Sequence, residues 1–236
     1  MKRALLALAF LLLAAGCAGA DDETTAGYVY WIRDDKVWPV SREIPNGIAG
    51  AIALELLRGP SDDELELGFR TALPDDLELT SIRTTGGTAT VTLDDNLSPE
   101  GLAQVVYTLT QFPTVQSVDL VTGATLLTGF DRTDVEEQTP AILVESPLSF
   151  EEVTSPVRVT GTANTFEANF QYELAAGGRI IAEDFVTATS GTGTRGTFEF
   201  FVPFEHEGDG TLVVFESSAK DGSRINVSEI PLRLKR

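Results

Sequence analysis

The sequence predicts an α+β domain, a mixed sheet with two helices, followed by an all-β sandwich. Three observations predict it. Residues 48–58 and 98–112 space their apolar side chains along one face of a helix, and β-type runs surround both stretches. Residues 131–139 hold few apolar groups and divide the chain. Beyond residue 140 the helical spacing stops, and short β-type runs separated by turn residues continue to the end.

The first domain is expected over residues 28–130. Tyr28 to Ile32 is β-rich, Asp34-Asp35 supplies a turn and Lys36 to Val40 returns, which makes a hairpin. Ile48, Ile52 and Leu56 mark the stripe of a first helix that ends at Gly59-Pro60. Ser61 to Glu66 reads as an acidic loop. Leu77 to Arg83 and Thr88 to Leu93 flank Gly86-Gly87 as a second hairpin. Ser98-Pro99-Glu100 starts a second helix: a capping hydroxyl, a proline at the first helical position and an acid at the positive end of the dipole. Leu102, Val105, Val106 and Leu109 form its expected buried face. A strand follows over Val115 to Val121. After the 131–139 linker, seven β-type runs fall at 141–145, 156–162, 167–174, 180–186, 197–204, 210–218 and 225–234. Seven strands in this length fit a sandwich of immunoglobulin type over residues 140–236, here without a cysteine pair.

The start of the chain has a different character. Lys2 and Arg3 precede an uncharged run from Ala4 to Ala15, which is the pattern of a secretory signal. Twelve residues of helix span roughly 18 Å, short of a ~30 Å hydrocarbon core. The run closes Leu13-Ala14-Ala15-Gly16-Cys17, and Cys17 is the chain's single cysteine. Residues 1–16 are therefore expected to be a signal peptide, Cys17 to carry diacylglycerol, and residues 17–27 to form a lipidated tether. Two acyl chains, at ~0.8 kcal/mol per buried CH₂, give stable anchoring where one is marginal. The expected location is extracytoplasmic, held to the cell membrane.

Composition narrows the partners. The chain carries 36 acidic against 17 basic residues, a net charge of −19. Such a field repels phosphate backbones, so nucleic acid is excluded as a partner. With Cys17 lipidated, no thiol remains for a disulfide or a thiolate metal site.

Several blocks, in order, resemble a known pairing of domains. Leu56-Leu57-Arg58-Gly59-Pro60, Phe69 to Pro74, Gly87 to Leu93 and the Ser98–Phe112 helix resemble the sporulation and germination domain called GerMN. Ser146-Pro147, Ser155-Pro156, Val159 to Ala163, Phe166-Glu167-Ala168 and Ser218 to Gly222 resemble the immunoglobulin-like domain of bacterial spore germination. The resemblance implies a cell-envelope lipoprotein whose first domain is similar to ring-building modules that act by protein–protein assembly. It supplies no catalytic residues.

The remaining motifs carry little chemistry. Gly191 to Gly196 fits G-x-G-x-x-G, but the strand-type Thr197 to Phe201 follows where a dinucleotide site needs a helix, so a hairpin loop is expected. His206, the single histidine, lacks partners for a hydrolase or a zinc site and reads as an exposed turn residue. Asp94-Asp95-Asn96 and Asp62-Asp63-Glu64 do not follow the spacing of a calcium loop; turn and cap roles are expected. Trp31, Trp38, Phe198, Phe200, Phe201 and Phe204 concentrate the aromatics, and alternate positions along 197–204 must face outward. No cofactor, metal or catalytic residue is assigned. The leading expectation is a non-enzymatic envelope lipoprotein that binds other proteins or itself. A ligand-binding lipoprotein for wall glycan or peptide would instead show a concave polar pocket between its domains. A wall hydrolase would need two carboxylates at catalytic separation, for which no motif is present.

Overall fold

The computed structural model describes residues 24–45 and 49–236. The signal segment, Cys17, the tether as far as residue 23 and Ile48 lie outside the described residues. The order in the first domain is β1 Thr24–Arg33, β2 Lys36–Pro45, α1 Ala49–Arg58, α2 Asp62–Glu66, β3 Leu79–Thr85, β4 Thr88–Leu93, α3 Pro99–Leu109, β5 Ser117–Thr122 and β6 Thr125–Phe130.

β1 and β2 form the expected hairpin, with Trp31 opposite Trp38. Asp34 and Asp35 both adopt positive φ (52° and 58°), the geometry that two-residue loops of matching twist require. The hairpin is longer than the sequence suggested: Thr24 to Gly27 pair with Arg42 to Pro45, so the strand takes in residues assigned to the tether. The second sheet has the order β3-β4-β5-β6, with β4 and β5 parallel and the other pairs antiparallel. α3 makes the crossover that a parallel pair demands. In β4 alternate residues Ala89, Val91 and Leu93 point into the core, as their alternation with Thr implies.

Ser61 to Glu66 is a helix rather than a loop. Ser61 accepts from the Glu64 backbone N–H, and the Glu64 side chain accepts from Ser61 N, a reciprocal capping box that starts α2. α3 begins at Pro99 with Ser98 as its cap, as expected. Its burial, however, is not one stripe. Ala103 to Leu109 are all buried, and Leu102 is only partly so. The polar residues Gln104, Thr108 and Gln111 lie against the free edge of β1. Tyr28 N donates to Gln111 Oε1 (2.7 Å), Tyr30 N donates to Thr108 Oγ1 (3.1 Å) and Gln104 Nε2 donates to Tyr30 O (3.1 Å). Spaced by four and three, these side chains stand in for a neighbouring strand, so β1 can be buried on both sides without orphaned backbone groups.

The second domain continues with β7 Ile142–Ser146, β8 Glu152–Thr154, β9 Val157–Ala163, β10 Asn169–Ala176, β11 Arg179–Thr187, β12 Gly196–Val202, β13 Gly208–Ser217 and β14 Arg224–Lys235. A five-stranded sheet, β11-β10-β13-β14-β8, faces a three-stranded one, β12-β9-β7. Phe170 and Phe198 meet edge-on at 4.9 Å, and Tyr172 stacks on Phe200 at 4.7 Å. Eight strands replace the seven expected, because β8, three residues paired in parallel with β14, has too few residues to show a period. Of the Gly191–Gly196 motif, residues 191–195 form a loop, but it carries the chain from β11 in one sheet to β12, which begins at Gly196, in the other and is not a hairpin.

Candidate interaction sites

The linker is not an open spacer. Val135 is buried against the first domain, and Leu143 of β7 joins that domain's core. Glu136 receives Arg195 through two bonds, Nε to Oε2 (2.7 Å) and Nη2 to Oε1 (3.0 Å), and Asn164 Nδ2 adds a third at 2.9 Å. Arg195 also donates to Pro140 O at 2.8 Å. Burial tends to raise the Glu136 carboxyl, but Arg195 and Asn164 outweigh it and hold the group below the ordinary range.

A second knot joins β1, the linker and β7. Glu145 accepts from the Tyr30 hydroxyl (2.6 Å) and from Arg132 Nη1 (2.8 Å). Arg132 Nε donates to Thr110 Oγ1 at 2.9 Å, while the guanidinium lies 4.5 Å from the centre of the Tyr107 ring. Burial, with the Glu145 charge added, pushes the Tyr30 hydroxyl well above its ordinary value, so it stays a donor. Burial alone would lower Arg132; Tyr30, Glu145 and Tyr107 together reverse that, and the net direction is upward. The knot floors a groove of about 660 Å³ lined by Tyr28, Gln111, Gln116, Asp131, Arg132 and Glu145, among others. The groove is open, and polar and apolar groups share its lining about equally. Sequence reasoning did not find its residues: Tyr30 and Glu145 are 115 positions apart.

Within the first domain Glu64 is a hub. It accepts from Arg42 through both oxygens (2.6 and 2.7 Å), from Trp31 Nε1 (3.1 Å) and from Ser61 N (2.9 Å). Burial raises its carboxyl, and these bonds, led by Arg42, more than offset that, so it sits below the ordinary carboxylate range. A folded-state value that is depressed adds stability above the unfolded value of about 4.3. That stability is lost as pH falls through the folded value. Acid unfolding followed by tryptophan fluorescence is expected to steepen below about pH 4.3, and Glu64→Gln is expected to flatten the slope.

The other surface feature is β6. It ends the four-stranded sheet, so its outer backbone groups have no strand beside them among the described residues. Leu126 and Leu127 are 58 % and 47 % exposed, one on each face. The strand Thr-Leu-Leu-Thr-Gly-Phe carries no charge and no proline. Edges are ordinarily protected by charged residues, proline, bulges or a covering element; here charge and proline are missing, and a bulge in the pairing with β5 is present. Near its end Gly129 N donates to Asp119 Oδ1 (2.8 Å), where the register with β5 shifts.

The motifs singled out from sequence take modest places. Asp94 Oδ1 accepts from Glu78 N and Asp95 Oδ1 from Asn96 N, both turn roles. No group of three His, Cys, Asp or Glu among the described residues is arranged for a metal ion. Trp31 is fully buried and Trp38 partly so, while Phe201 is the outward aromatic of β12. His206 is half-buried rather than exposed. No helix of the described residues is long and apolar enough to cross a membrane.

Comparison with known proteins yields two family matches. A family described as "Sporulation and spore germination" matches residues 28–126, and one described as "Immunoglobulin-like domain of bacterial spore germination" matches residues 141–223. Among solved structures, the tandem GerMN domains of the Bacillus subtilis sporulation protein GerM are 29 % identical over 46 % of this chain, at a TM-score of 0.37. This chain spans 43 % of that structure's length. The first GerMN domain of the same protein is 28 % identical, covering 44 % of this chain and 86 % of the other, also at 0.37. No curated protein matches the chain.

Proposed function

We propose that this chain, which matches the sporulation and spore germination family over residues 28–126 and the immunoglobulin-like domain of bacterial spore germination over residues 141–223, serves a germination-associated assembly. It does so as a non-enzymatic envelope lipoprotein, attached through lipid on Cys17 and joining other envelope proteins or further copies of itself. The observation that carries this reading is β6, an uncharged edge strand with two exposed leucines. An incoming strand gains main-chain hydrogen bonds there, and the leucines supply apolar contact on both faces. The acidic surface, net −19, keeps the rest of the molecule from associating indiscriminately. Capture of the tagged protein from crosslinked cells tests the reading. Reproducible protein partners that disappear in Leu126→Lys/Leu127→Lys support it, and recovery of glycan or peptide alone overturns it.

The anchor has its own test. Cys17→Ser is expected to move the protein out of the membrane fraction and to abolish incorporation of labelled fatty acid; a variant that still fractionates with membranes and carries lipid contradicts the attachment.

A second reading, a ligand-binding lipoprotein that holds wall glycan or peptide, is favoured by the junction groove, which draws polar groups from both domains. It gives the opposite outcome in the capture experiment.

A further inference from the structure

Another hollow, of about 800 Å³, lies at one end of the sandwich, away from the residues of the domain junction. Four segments build it: Arg179 at the start of β11, the Phe204–His206 stretch after β12, Arg236 after β14, and Ser155 before β9. It is out of keeping with the rest of the molecule. In a chain with more than twice as many acidic as basic residues, it gathers two arginines and the single histidine. Among the described residues, no side-chain carboxylate lies within 4 Å of Arg179, His206 or Arg236; Arg33, Arg83 and Arg233 are likewise unbridged, whereas Arg42, Arg58, Arg70, Arg132, Arg158, Arg195 and Arg224 each have one. Glu205 is the one acidic side chain in the lining.

Its polar groups are turned to account on one side and available on the other. Arg236 Nε donates to Glu205 O at 3.1 Å, which steadies the guanidinium and leaves its terminal N–H groups to a ligand. Ser155 Oγ accepts from Phe204 N at 2.9 Å, so its hydroxyl proton remains to be given. The His206 ring rests near the Gly177 turn, where an added Cβ would lie 3.5 Å from Cε1. Ile180, Ile181 and Phe204 supply its apolar surface. Guanidinium forks, an imidazole and a hydroxyl donor are the set that holds a phosphate oxyanion.

We propose that this hollow binds a phosphate ester, with the phosphate on Arg179, Arg236 and Ser155 and the organic part against Ile180 and Phe204. The test uses His206 as its reporter, since a single histidine gives unambiguous ring C–H signals in a proton NMR spectrum of the full chain in detergent. Titration with sn-glycerol 3-phosphate and, in a separate arm, with short-chain phosphatidylglycerol distinguishes a soluble ester from a lipid headgroup. Saturable movement of the His206 signals in the first arm assigns a soluble ligand, and movement in the second alone assigns a headgroup. Arg179→Gln/Arg236→Gln is expected to weaken the response at least tenfold while the methyl region of the spectrum keeps its dispersion. Movement matched by sodium chloride at equal ionic strength, absence of movement in both arms, or an undiminished response in the double variant overturns the proposal.

Discussion

Trp31→Ala is expected to destabilise the first domain by about 3–5 kcal/mol, the range for truncating a buried aromatic. Trp31 is fully buried in the centre of β1, between Tyr30 and Ile32, which are equally inaccessible. Its loss removes packing volume and also the Nε1 donor to Glu64 and the ring near Arg42, 5.8 Å from the guanidinium. Glu64 and Arg42 would still bind each other, so the hub loses one spoke and the cavity dominates. Trp31→Phe separates the two contributions: most of the volume stays, the hydrogen bond goes, and the cost is expected near 1 kcal/mol. Denaturant midpoints of both variants check this, and equal midpoints would show that packing around Trp31 is not what holds the domain.

Gly161→Ala is expected to be as damaging in the sandwich. Gly161 lies in β9 opposite Val144 of β7, and a Cβ there would stand 2.0 Å from Leu143 O and 2.7 Å from Phe198 Cζ. The nearer obstacle is backbone, so no rotamer change relieves it. The β7–β9 ladder must open, and Phe198, paired edge-on with Phe170, must also give way. Overpacking of this kind costs 1–3 kcal/mol where side chains can give, and an expected loss of about 3 kcal/mol or more follows where they cannot. Because Leu143 also belongs to the first domain's core, the disturbance should reach the junction. Hydrogen exchange would show this as lost protection in β7 and β9 and then in β1; protection unchanged in β7 contradicts it.

The parts of the fold that follow from local periodicity were legible in the sequence. β4 begins and ends where the Thr-Ala-Thr-Val-Thr-Leu alternation does, and α3 starts at Pro99 behind its Ser98 cap. The misses have separate causes. α2 was hidden because Asp62-Asp63-Glu64 looks like a solvated loop, although the Ser61-x-x-Glu64 spacing is a readable capping signature. β6 shows no alternation because nearly all of it is exposed. The polar side of α3 could not be anticipated from helix periodicity: Gln104 and Thr108 are buried because β1 needs partners for its backbone, a requirement that tertiary structure alone imposes. The junction was illegible for the same reason.

The most direct test of the assembly role places a photo-crosslinking amino acid at Leu126 in cells that carry the chain. Leu54, on α1, is the control, since its 55 % exposure nearly equals the 58 % of Leu126 while it belongs to a helix and not to an open sheet edge. If β6 receives a protein partner, irradiation should yield a discrete higher-mass adduct from Leu126 and none from Leu54. Equal yields at the two positions, or no protein adduct at Leu126, would contradict it.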